Sequence, residues 1–166
     1  MKKKILTGFL LILFLSSLFF ASYVLFNKYN ETYNIDNIKR GHIDGLIYDD
    51  FKTKKLEDVL FFVGDTKKDK ENLKVMVFEK DFLFKSRYRK QYDEQKNEDL
   101  NSIYYGTDKS GYILIFGKNP KENPIKSFEV ISGITKKFRV DEPGIILEAL
   151  KGKAKEIKNL RIEYEQ

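Results

Sequence analysis

From Ile5 to Phe26 the chain runs 22 residues without one charge, and 15 of them are Leu, Ile, Phe or Val. A helix of that length covers about 33 Å, enough to cross a hydrocarbon core of about 30 Å with slight tilt. Each such side chain favours insertion by roughly 0.3 to 0.6 kcal/mol, about 4 to 9 kcal/mol together before the Ser, Thr and Gly costs. The run is therefore read as a transmembrane helix. A cleaved signal peptide is the rival reading, since Lys2, Lys3 and Lys4 form a positive leading region. It fits less well: the apolar run exceeds the usual 7 to about 15 residues, and the best cleavage point, after Ala21, has Phe19 where a small residue is wanted. Three lysines before the helix against Lys28 just after it put the N-terminus in the cytoplasm and the bulk of the chain outside.

The expected organisation is thus a cytoplasmic basic N-terminus over 1–4, an uncleaved signal anchor over 5–26, a polar tether over 27–37 and an extracytoplasmic domain over 38–166. The tether is assigned because 27–37 is Asn-rich and lacks apolar periodicity. The remainder has the size of one domain and one core. Cysteine is absent, which removes disulfides, thiolate metal sites, a cysteine nucleophile and a lipid-modified cysteine. Of 31 basic residues three precede the helix, leaving 28 against 25 acidic ones with both signs interspersed, so nucleic acid is not an expected partner.

Beyond the tether, short runs of β-branched and aromatic residues recur between clusters of Gly, Asp, Asn and Lys, the pattern of strands joined by hairpins. Residues 54–60 fit a short helix capped by Thr53, and Asp65 to Asn72 a charged loop. Val75 to Phe78 suggests a central strand covered on both faces. Phe82, Phe84, Ser86 and Tyr88 alternate with Leu83, Lys85, Arg87 and Arg89, as in a strand with one wet face. A polar stretch follows over 91–101. Residues 102–105 and 112–116 flank Gly106-Thr107-Asp108-Lys109-Ser110-Gly111, a hairpin signal. Strands are expected over 125–132, 135–140 and around Leu160, Ile162 and Tyr164, with Gly133 as a break and 145–154 either helix or strand. Seven to nine strands give a mainly β fold: an antiparallel sandwich-like or bent-sheet domain with one or two short helices.

The motifs name no reaction. His42 is the sole histidine, which excludes multi-histidine zinc sites, and no Gly-x-Ser-x-Gly signature accompanies it. Asp49-Asp50, Glu57-Asp58, Glu98-Asp99 and Asp141-Glu142 are adjacent acids, and neighbours on a strand point to opposite faces. A glycosidase-type pair would need acids brought together from distant segments. Gly106-x4-Gly111 is followed by Tyr112-Ile113 where a phosphate loop would place Lys and Ser or Thr. No cofactor is expected. One surface feature stands out: Lys85, Arg87 and Arg89, continued by Lys90, form a basic strand face suited to an anionic membrane or a partner, or to protecting an edge strand.

The phrase Val77-Phe78-Glu79-Lys80-Asp81-Phe82-Leu83-Phe84-Lys85-Ser86-Arg87-Tyr88, with 112–117 and 125–130, resembles small single-pass membrane-anchored proteins of low-GC Gram-positive bacteria. The resemblance implies location and a β-rich fold, and transfers no site residue. The function expected is a non-enzymatic binding or accessory module at the cell envelope, with the membrane as one partner through 5–26 and an envelope protein or polymer as another. A cell-envelope hydrolase and a small structural or immunity-type membrane protein are the alternatives.

Overall fold

The computed structural model describes residues 2–66, 69–97, 99–107, 110–132, 134–152 and 159–164. A long helix α1 (Lys2–Asn30) precedes β1 (Thr32–Asn34), the short helix α2 (Ile35–Lys39), β2 (His42–Ile43), β3 (Leu46–Leu56), β4 (Val59–Thr66), β5 (Asp69–Lys80) and β6 (Arg87–Asn97). Then follow β7 (Asn101–Gly106), β8 (Gly111–Asn119), β9 (Ile125–Ser132), β10 (Ile134–Arg139), β11 (Gly144–Gly152) and β12 (Asn159–Tyr164). All pairings are antiparallel.

The stretch Leu10–Asn30 is long and apolar enough to cross a membrane, and none of it is buried against the domain. Two of its hydroxyls are satisfied within the helix: Ser16 donates to the carbonyls of Ile12 and Leu13, and Ser17 to that of Phe14. Such internal pairing removes the cost of carrying a polar side chain into an apolar medium.

Six strands form one sheet in the order β1-β6-β5-β4-β3-β2. It bends until its ends meet: the β2–β3 turn at Asp44-Gly45, with φ of 54° and 73°, brings Asp44 to the Tyr33 hydroxyl on β1 and the Lys90 ammonium on β6. The enclosed side is filled by Ile38, Ile43, Tyr48, Leu60, Phe62, Met76, Phe78 and Tyr88, with α2 supplying Ile38 as a plug. The other side carries Phe61, Val63, Val75 and Val77 and packs on Leu114, Phe116, Leu147 and Ala149 of a three-stranded sheet, β11-β8-β7. That sheet's far face, with Ile113, Ile115 and Ile146, meets Phe128 and Val130 of a third sheet, β10-β9-β12.

This layering explains the two apolar runs in the sequence. Val75 to Phe78 on β5 and Ile113 to Phe116 on β8 are wholly buried because each strand has a core on both faces. Each buried Val, Leu or Phe of these strands contributes roughly 1.5 to 3 kcal/mol. The two expected architectures are both present, a bent sheet with further sheets stacked against it.

Several boundaries differ from expectation. The helix expected over 54–60 is a β3–β4 hairpin turning at Glu57-Asp58, with Glu57 left-handed at φ 54°. The buried hydrophobics of β4 settle it, since two-sided burial outweighs local helix propensity. The loop expected over 65–72 shrinks, because β4 reaches Thr66 and β5 starts at Asp69; residues 67 and 68 lie outside the described set. Of the alternation over 82–89 only Arg87 to Arg89 are strand, the start of β6, while 82–86 form the turn before it; β6 then runs through the polar stretch to Asn97, held by β5 on one side. Residues 145–152 form β11, a strand. The hairpin around Gly106 and Gly111 forms as expected, although residues 108 and 109, like Gly133, lie outside the described set. The stretch 27–37 is the end of α1, then β1 and most of α2, so no slack separates helix and domain.

Candidate functional site

The chemistry-bearing side chains gather at the end of the domain next to α1. β1 leaves the helix and pairs with β6, Thr32 opposite Arg89 and Asn34 opposite Arg87. Arg87 acts as the clasp of this joint. Its Nε donates to the Thr32 hydroxyl, one terminal nitrogen to the Thr32 carbonyl and the other to the Tyr29 hydroxyl at 2.9 Å. The guanidinium also stacks 4.0 Å over the Tyr29 ring, and Phe84 meets that ring edge-on with centroids 5.2 Å apart. A planar cation with five donors suits both contacts, and a lysine would keep only the charge.

The β5–β6 connection is fixed by Asp81, a buried carboxylate. One oxygen accepts the backbone N–H groups of Leu83 and Phe84, and the other accepts Arg89 at 3.0 Å. Burial works against its charge, but those N–H groups and Arg89 prevail and hold the carboxyl below its ordinary range. Across the seam of the bent sheet Lys90 bridges Asp44 and Asp93. Burial opposes the ammonium, yet the two carboxylates outweigh it and raise the Lys90 pKa. Asp93, disfavoured by burial, is likewise held low by Lys74 and Lys90. Inside the seam the Tyr48 phenol is pushed up to about 12 by burial, with the Asp93 and Asp44 charges adding to it.

The basic face expected from Lys85, Arg87, Arg89 and Lys90 is therefore divided. Arg87 holds the helix end, Arg89 pairs with Asp81, Lys90 closes the sheet on its other face, and Lys85 is exposed in the turn. Sequence spacing placed the charges but not their acceptors, because Thr32, Asp81 and Asp44 come from other elements. Asp44-Gly45 is itself a hairpin signal in the sequence. His42 is exposed on β2.

Beside the joint lies a cleft of about 660 Å³ lined by Glu57, Glu79, Tyr105, Tyr112 and Lys151 and floored by the β7–β8 hairpin. Glu57 accepts from the Tyr112 hydroxyl at 2.9 Å and pairs with Lys151, and Glu79 accepts the Tyr105 hydroxyl at 2.8 Å. Lys151, with Tyr112, draws the Glu57 pKa down, while the Tyr105 phenol is raised by burial and by its bond to Glu79. Of the adjacent acids only Glu57 contributes here; Glu98 lies outside the described residues. Among the described residues no group of three or more His, Asp or Glu stands close enough to hold a metal ion.

The fold and joint define an antiparallel β domain carried on an apolar N-terminal helix. No protein-family model, curated protein or solved structure matches the chain.

Proposed function

We propose that the chain is a membrane-anchored extracytoplasmic protein of the cell envelope that binds a protein or polymer partner and performs no catalysis of its own. The observation that carries this reading is α1: an apolar helix with no part of Leu10–Asn30 buried by the domain, yet locked to it through Tyr29, Thr32 and Arg87. A free apolar helix of this length is unfavourable in water and favourable in a bilayer. The lysines at 2–4 orient it with the domain outside. The cleft beside the joint supplies carboxylates, phenols and an ammonium to a partner near the membrane surface. It supports binding better than hydrolysis, because both its carboxylates are already engaged, Glu57 by Tyr112 and Lys151 and Glu79 by Tyr105, where hydrolysis needs a free acid and base.

The test is carbonate extraction and protease shaving of intact cells expressing the chain with a C-terminal tag. The protein is expected in the membrane pellet with its tag digested from outside. Recovery of the chain in the medium with an N-terminus near Ser22 would overturn the anchor, and a protected tag would overturn the orientation. Crosslinking in cells, with and without Lys151→Glu, then tests the cleft, and capture is expected to fall in the variant.

A further inference from the structure

Phe82 is 95% exposed and Leu83 49%, at the tip of the β5–β6 turn. Neither is loose: the Asp81 carboxylate pins the backbone of Leu83 and Phe84, so the fold holds these apolar groups outward. Two adjacent apolar groups held outward on one turn, one of them almost wholly exposed, are suited to entering an apolar layer. Their height relative to the helix follows from the joint. Phe84 packs on Tyr29, which lies about 4.5 Å of helix beyond Phe26, the last residue of the charge-free run. Lys28 borders the same surface depression as Phe82 and Leu83. β1 runs antiparallel to β6, so after α1 the chain doubles back toward the turn. Both observations set the turn beside the helix at the level of its last apolar residues. Around it stand Lys28, Lys80 and Lys85, all exposed.

We propose that Phe82 and Leu83 insert into the interfacial layer of the bilayer that α1 crosses, with Lys28, Lys80 and Lys85 at the level of anionic headgroups. The inference rests on the membrane-anchor reading above. Aromatic and aliphatic side chains flanked by lysines match that layer, where apolar groups enter the acyl boundary and ammonium groups stay with the phosphates. The domain thereby gains a second point of attachment and lies against the membrane in one orientation.

The chain contains no tryptophan, so a single introduced one reports its own surroundings. Full-length Phe82→Trp is reconstituted in vesicles mixing phosphatidylcholine with phosphatidylglycerol, beside Phe19→Trp within α1 and Tyr164→Trp. Tyr164 pairs with Ile125, next to Asn119 at the end of β8 opposite the Gly106–Gly111 hairpin. The Phe82 ring faces outward, so this substitution leaves the packing intact. Expected for Phe82→Trp are blue-shifted emission and strong quenching by lipids brominated near the headgroup end of the acyl chain. Bromine near the chain terminus should quench it weakly and quench Phe19→Trp strongly, while Tyr164→Trp responds to neither. An unshifted, unquenched Phe82→Trp beside a quenched Phe19→Trp overturns the second contact and leaves the anchor standing. Silence at both overturns the anchor and the contact together.

Discussion

At the scale of single residues, the domain spends its charges on holding itself together. Arg87→Ala removes three hydrogen bonds and a cation–π contact at the joint. It is expected to lower stability by about 2 to 3 kcal/mol, read as a shift in the denaturant midpoint, with Arg87→Lys falling between variant and parent. Asp81 and Asp93 are both held below their ordinary range in the folded state. Each contributes stability that is fully present above its unfolded pKa of about 3.9 and is lost as pH falls through the lower folded value. The midpoint is therefore expected to stay level from neutral pH to about 5 and to fall below about 4, with a shallower fall in Asp81→Asn. A level midpoint down to pH 2 would remove these two carboxylates from the account of stability. Gly117 sits within the apolar strand β8 because a Cβ there would meet the Asp99 carbonyl oxygen and the Leu100 Cα, both at 2.8 Å. Backbone cannot yield as a side-chain tip can, so Gly117→Ala should cost about 1 to 3 kcal/mol by the same measurement.

At the scale of elements, the strands with a core on both faces were legible, and those whose partners come from afar were not. The runs over 75–78 and 112–116 announced themselves because apolar residues at consecutive positions have no other stable use in a small domain. β6 was legible only at its start, over Arg87 to Arg89: Tyr88 alone is buried along it, and the polar residues beyond look like loop until β5 is seen to hold them. The β3–β4 hairpin was hidden for another reason, since its turn uses Glu57-Asp58 in place of the glycine that normally marks a left-handed position. Of the candidate site, the cations at 85–90 were visible and their acceptors were not, because sequence distance carries no record of which carboxylate a bent sheet brings near. The assignment of 27–37 as a tether missed β1, which is only three residues long and has no periodicity to display. A soluble fragment beginning at Ile38 lacks β1, the Asn34 cap of α2 and the Thr32 acceptor of Arg87. It should unfold at lower denaturant and aggregate more readily than a fragment beginning at Tyr29, because it leaves the β6 edge unpaired. Equal midpoints would mean that β1 adds nothing to the sheet.

For the whole molecule, the distinction is between a domain on a leash and a domain on a post. A leash over 27–37 would be cut first at Lys28 by trypsin acting on membrane vesicles, releasing the domain intact. With Lys28 in the last turns of α1 and Tyr29 packed on Phe84 and Arg87, that cut requires the joint to open. Release of an intact domain should therefore be no faster than its general digestion, and should become fast in Arg87→Ala. The doubling back of the chain after Asn30 sets how far the domain can reach. A flexible stalk lets a head sweep a hemisphere and sample distant targets, whereas a head folded down beside its own post samples almost nothing. On the proposed anchoring, a partner has to arrive within a few nanometres of the lipid, which suits a neighbour moving in the same bilayer better than one held far out in the wall.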